Sequence, residues 1–209
     1  MPPIDRKPHK TPSELIFAKT ESDVLSIPYN RTSEVCGPSR RSLTLMLASL
    51  MDGPILWIKP SWHRLDLNAQ GIVNFLNPGR ITFVEPKRAD DVLWCMEETL
   101  RTGTVPTVIA ECDTPPALTP IRRLHLAAEQ GAKMGKVKLL PLLLTPADGG
   151  AQGIETRWHA TPRHCAKHSR WLIERRRARM SPPAAWTLDW KNAIARAQST
   201  TGAQSIAAE

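Results

Sequence analysis

The residues best placed for chemistry run from Glu34 to Thr44, in the order Glu-Val-Cys-Gly-Pro-Ser-Arg-Arg-Ser-Leu-Thr. They follow a short apolar stretch and open a helical one, which is where a phosphate-binding loop sits in a nucleotide-binding α/β domain. That loop, G-x-x-x-x-G-K-[ST], works through three parts: glycines that let backbone N–H groups wrap the phosphates, a lysine that reaches them, and a hydroxyl that binds Mg²⁺. Laid on this chain without gaps, Gly37 is the first glycine and Thr44 the hydroxyl, but Ser42 replaces the second glycine and Leu43 the lysine. An apolar side chain cannot neutralise phosphate, and serine takes a left-handed backbone less readily than glycine. Gly37, Ser39, Arg40, Arg41, Ser42 and Thr44 therefore read as a degenerate loop that keeps its shape without ATP chemistry. Arg40 and Arg41 stand at a helix N-terminus, where an anion is favoured.

Other groups are candidates for narrower chemistry. Glu111 and Asp113 end an apolar run, where P-loop enzymes keep a Mg²⁺-holding carboxylate; the competing role is capping the next loop. Cys36, beside the degenerate loop, has either a lowered pKa or a buried, inert thiol. His159, His164, Cys165 and His168 crowd one basic stretch, and the Cys165-x-x-His168 gap suits a metal. A structural zinc site wants four placed ligands, commonly with a second cysteine pair. A plain basic loop is the preferred reading, with no metal and no cofactor.

The elements that must position these groups are legible from periodicity. Thr11-Pro-Ser-Glu14 reads as a capping box opening a helix to about residue 20, followed by a loop to 33. Ser33–Cys36 reads as a strand. Leu43, Met46, Leu47 and Leu50 share one helical face. Ile55–Ile58, Ile81–Val84, Thr107–Ala110 and Leu139–Leu144 are continuous apolar runs, as in strands covered on both faces. A short helix is expected within 62–76. Ala89, Val92, Leu93, Met96 and Leu100 mark a helix that Gly103 caps. Thr119-Pro120 starts another, which Gly131 is expected to stop. Alternating strand and helix predicts an α/β fold with a mostly parallel sheet flanked by helices. Thr156–His159, Arg170–Glu174 and Ala185–Trp190 then read as antiparallel strands extending that sheet. The expected divisions are an N-terminal helix and loop (1–30), the α/β core (31–147), basic antiparallel strands (148–192) and a disordered tail (193–209).

Charge is concentrated rather than spread. Of the net +8, the segment 157–180 holds eight Lys/Arg against one acid, leaving twenty bases and nineteen acids elsewhere. Such a segment suits a polyanion or an acidic protein partner, or a solvated strand face. Arginine interleaved with tryptophan suits single-stranded nucleic acid or a protein hot spot. The candidate binding residues are Arg157, Trp158, Arg170, Trp171, Arg175, Arg176, Arg177 and Arg179. Arg122 and Arg123 join them, because adjacent helix positions point about 100° apart and cannot both face the sheet. No apolar run approaches bilayer-spanning length. The start, MPPIDRKPHK, has no apolar h-region, and the four scattered cysteines fit a reducing compartment. A cytoplasmic location without membrane contact is expected.

Several segments together resemble the ImuA family. They are Glu34–Ser42, Gly-Pro-Ile-Leu-Trp-Ile at 53–58, Asp91–Gly103, and Leu-Thr-Pro-Ile-Arg-Arg-Leu-His-Leu-Ala-Ala-Glu at 118–129, which is similar to that family's LTASRRLQLAAE helix. Arg157-Trp158, the basic run 170–177 and Trp186–Trp190 resemble its C-terminal end, so the likeness spans about residues 30–190. The resemblance implies a RecA-like fold and a non-enzymatic adaptor in an SOS-induced translesion mutasome. The implied partners are ImuB, a Y-family polymerase relative, and an alternative polymerase III α subunit, with RecA and single-stranded DNA as further candidates. Some members of the family are described as related to SulA, so a cell-division inhibitor is one alternative. A divergent ATPase using Arg40 or Arg41 in place of the lysine is another.

Overall fold

The structure, a computed structural model, describes residues 13–20, 23–63, 67–189 and 195–199, the last of these by backbone alone. Eleven strands form one sheet: β1 (Glu14–Lys19), β2 (Val24–Pro28), β3 (Ser33–Cys36), β4 (Ile55–Ile58), β5 (Ile81–Val84), β6 (Thr107–Glu111), β7 (Leu140–Leu144), β8 (Arg157–Pro162), β9 (Arg170–Arg177), β10 (Ala184–Asp189) and β11 (Ala195–Ser199). Their order is β2-β1-β11-β10-β9-β8-β3-β7-β6-β4-β5. The six strands from β5 to β8 pair in parallel; β8–β9, β9–β10, β10–β11 and β1–β2 are antiparallel. The helices are α1 (Arg40–Ser49), α2 (Ala69–Val73), α3 (Ala89–Thr102) and α4 (Leu118–Gly135). The chain thus has the expected mostly parallel α/β sheet, flanked by helices and extended by antiparallel C-terminal strands.

Strand period explains the two cores. Successive side chains point to opposite faces, so Ile55, Trp57, Ile109, Leu142 and Leu144 face α1, packing with Leu43, Met46 and Leu47. Ile58, Val108, Ala110 and Leu143 face α3 and α4, packing with Val92, Met96, Leu100, Ile121 and Leu124. Both faces are dry, which is why these strands read as unbroken apolar runs.

Beyond β8 the sheet coils round. β1 and β8 are four strand steps apart, about 19 Å in a flat sheet, yet Phe17 on β1 meets Trp158 on β8 edge-to-face at 5.0 Å. Asp23, at the start of β2, likewise reaches Arg175 on β9 at 2.8 Å. The curled sheet encloses Leu15, Phe17, Leu25, Ile27, Trp158, Trp171, Ile173, Trp186 and Leu188.

Three expectations need correction. Residues 14–19 and 24–28 are strands, not a helix and loop. Leu15 and Phe17 are buried in alternation, and pairing with β2 and β11 outweighs the local capping signal. Thr11 and Pro12 lie outside the described residues, as does Trp190. Gly131 does not stop α4, which runs to Gly135. It marks a close crossing instead: a β-carbon there would run into the Leu100 carbonyl oxygen, and one on Gly103 into that of Gly131. Finally, 195–199 forms β11 within the segment expected to be disordered; the rest of the expected tail is not among the described residues.

Candidate functional site

The degenerate loop lies between β3 and α1, and the sheet itself consumes its donors. Gly37 takes φ +89°, and a β-carbon there would stand 2.5 Å from the Ala160 carbonyl oxygen. Its N–H donates to the Ala147 carbonyl at 2.9 Å, and the Ser39 N–H donates to Ala160 at 2.9 Å. Two amides that would cradle phosphate are therefore bonded to protein. Ser39 precedes the helix without capping it through its side chain. Arg40 bends back so that Nη1 donates to the Gly37 carbonyl at 3.4 Å. Ser42 is half-buried, Leu43 is fully buried in the core, and the buried Thr44 hydroxyl has no hydrogen-bond partner.

Arg41 carries the main finding. Its guanidinium donates through Nε at 3.1 and 3.2 Å and through Nη2 at 2.8 Å to both oxygens of Glu111, at the end of β6. Trp57 Nε1 on β4 donates to the same carboxylate at 2.8 Å. Glu111 is 2% exposed. His63 places Nδ1 3.9 Å from Glu111 and bonds Asp113 through Nε2, while Trp62 Nε1 donates to Asp113 at 3.0 Å. The sequence brought Arg41 and Glu111 forward as separate candidates, and the structure joins them. The arginine supplies the positive charge that a metal would otherwise bring to that carboxylate.

The neighbouring strand ends hold a second buried carboxylate that the sequence reading missed. Glu34 is fully buried and accepts from Thr145 Oγ1 at 2.6 Å, the Gly150 and Ala151 amides at 2.9 and 3.1 Å, and Arg157 Nε at 2.5 Å. An acid inside an apolar strand was the available signal, since a buried carboxylate must be partnered. Arg157 is thereby the clamp of the 147–153 loop. Burial, followed by the nearby Glu34 charge, pushes the Cys36 thiol up to about 12, so the lowered-pKa reading fails and the inert one holds.

The basic strands divide by burial. Trp158 is fully buried against Phe17 and Trp186. Trp171 is buried against Phe75 and His164. Arg175 is buried, ion-paired with Asp23, bonded to the Pro182 carbonyl at 2.9 Å and stacked 4.9 Å above Trp186. Arg176 bridges Asp148 at 2.6 Å and Glu174 at 3.2 Å. Arg157, Trp158, Trp171, Arg175 and Arg176 are thus parts of the fold rather than presented to solvent, a correction to their expected binding role. Arg177, Arg179 and Arg122 are exposed and Arg170 half-exposed beside Asp189. Arg123 is exposed and pairs with Glu97 at 2.8 Å.

The histidine-rich stretch forms the tip of the β8–β9 hairpin. Cys165 is exposed, His164 Nδ1 accepts from the Arg170 amide at 3.1 Å, and His168 lies 3.3 Å from Asp189. His159 is inside the sheet, bonded to Glu174 at 2.8 Å, with its pKa lowered first by burial and then by Arg176. Among the described residues no three His, Cys, Asp or Glu side chains are grouped to hold a metal ion. None of their helices is long and apolar enough to cross a membrane.

No family model and no curated protein matches the chain. Among solved structures it is similar to SulA from Pseudomonas aeruginosa, with 22% identity and a TM-score of 0.43 over 56% of this chain and 98% of that one.

Proposed function

We propose that the chain is a non-catalytic accessory protein of an SOS-induced translesion mutasome that bridges polymerase partners, an ImuB-type Y-family relative and an alternative polymerase III α subunit. The observation that carries the non-catalytic part is the Arg41–Glu111 pair. It satisfies the acid at the strand end, while the loop amides of Gly37 and Ser39 are bonded to backbone. Phosphate and Mg²⁺ would have to break these bonds before binding. The mutasome part is supported by the resemblance of residues 30–190 to the ImuA family. The exposed Arg170, Arg177 and Arg179 are the candidates for acidic partners or single-stranded DNA, with RecA a further partner to test.

The test is UV-induced mutation frequency in a strain lacking the gene, scored beside survival. A sharp fall restored by the wild-type gene supports the reading. Unchanged mutation rejects it. Filamentation on overexpression would then favour a division inhibitor. Magnesium-dependent ATP turnover lost in Thr44→Ala would favour a divergent ATPase.

A further inference from the structure

The layer formed by α3 and α4 has one face on the sheet and one in solvent. Near their C-terminal ends the two helices almost touch backbones, through Leu100, Gly103, Gly131 and Gly135. Toward their N-terminal halves they leave a groove of about 240 Å³ lined by Asp90, Leu93, Trp94, Pro120, Arg123 and Leu124. At 100° per residue, Trp94 on α3 and Leu126, Gln130 and Met134 on α4 project outward. Trp94 is 57% exposed, Leu126 66% and Met134 65%. Three large apolar side chains on one outer face, one of them a tryptophan, are the composition of an interface centre.

Charge says what covers it. The α3 ridge beside the groove carries Asp90, Asp91 and Glu98, and the α4 ridge carries Arg123. A two-fold axis running along the groove lays α3 of one copy over α4 of the other, so acid meets base on both sides of the axis. Trp94 then lies over the Leu126 turn of the second copy. Nucleic acid is disfavoured, because the acidic ridge repels phosphate. An extended peptide is disfavoured, because two intact helices offer its backbone no partners.

We propose that this face is a two-fold interface between two copies of the chain, centred on Trp94 and steered by Arg123 against the acidic ridge of α3. The helices are about 21 and 27 Å long, and the pair is about 20 Å wide. The buried area is therefore on the order of 1,000 Å² in total, the low end for a specific dimer. Self-association is accordingly weak, with Kd in the micromolar range. The inference is independent of the mutasome reading: a dimer with unchanged induced mutation, or a monomer with reduced mutation, separates the two.

The experiment is sedimentation velocity of the full chain over a concentration series, with melting curves as a folding control. Trp94→Ala is expected to weaken dimerisation at least about tenfold without lowering the melting temperature. Asp90→Lys/Asp91→Lys and Arg123→Glu should each be monomeric, and their mixture should form a heterodimer, because the swap restores opposite charges at both contacts. A wild-type monomer at all concentrations overturns the proposal. So does a dimer indifferent to Trp94, or a mixture that stays monomeric while both variants melt as the wild type does.

Discussion

Arg41 and Glu111 stand 70 residues apart in the chain and meet through two guanidinium nitrogens, with Arg41 24% and Glu111 2% exposed at the side chain. Removing the arginine strands a buried carboxylate held only by Trp57 Nε1 and the edge of His63. Arg41→Ala should cost about 2–4 kcal/mol, somewhat less than a fully buried pair because the arginine is partly solvated. Arg41→Ala with Glu111→Gln should recover most of that loss. Urea titrations of the single and double variants measure both. Equal stability of wild type and Arg41→Ala would remove the pair from its structural role.

Thr44 offers the opposite sign. Its hydroxyl is buried without a partner. Replacing it by an apolar group of the same shape removes a desolvation cost, so Thr44→Val should be neutral or stabilising by about 1 kcal/mol. A thermal melt decides. A clear destabilisation would reveal a bond made by that hydroxyl, as the ATPase alternative needs.

His125 builds a pH dependence into the α4–β3 contact. Its Nδ1 accepts from the Thr32 amide at 3.2 Å while Nε2 faces the Gly153 carbonyl at 3.4 Å, so the neutral form with its proton on Nε2 satisfies both. Burial, then Arg31, lowers its pKa from 6.5. Below that value the unfolded chain takes up the proton first, so stability is present at neutral pH and is lost as pH falls from about 6.5 toward the folded pKa. Urea midpoints at about pH 7.5 and about pH 5.5 should differ, and His125→Gln, which can accept and donate at the same places, should narrow the difference. His159, also lowered, adds a residual slope of the same sign.

The arginines of β9 should separate cleanly. Arg175→Glu places a second acid beside Asp23 and removes the cation over Trp186, so the variant should fail to fold or melt far lower. Arg177→Glu/Arg179→Glu, at exposed positions, should leave the melting temperature within a few degrees. If the basic strands meet single-stranded DNA, the same double variant should bind it more weakly, with a shallower salt dependence, in fluorescence anisotropy. Unchanged anisotropy would exclude these residues from DNA contact.

The chain's spacing was enough to read the core elements. The 43–46–47–50 repeat, the apolar runs at 55–58, 81–84 and 107–110, and the helix from Ala89 closed by Gly103 are local patterns, and a helix or a buried strand writes its period directly into consecutive residues. The missing lysine is likewise a fact of sequence, since Leu43 cannot act as one in any fold. Other features depended on tertiary structure. Glu14–Lys19 carries a helix-start signal, yet its partners β2 and β11 make it a strand. Gly131 looks like a stop but is where two helices approach too closely for any side chain. Arg175 and Arg177 are two residues apart in one basic run. Strand alternation turns one into the coiled sheet and the other into solvent, and the pairing with Asp23 exists only because that sheet curls. Which charge meets which is set by strand order and long-range closure, and neither leaves a trace in local spacing.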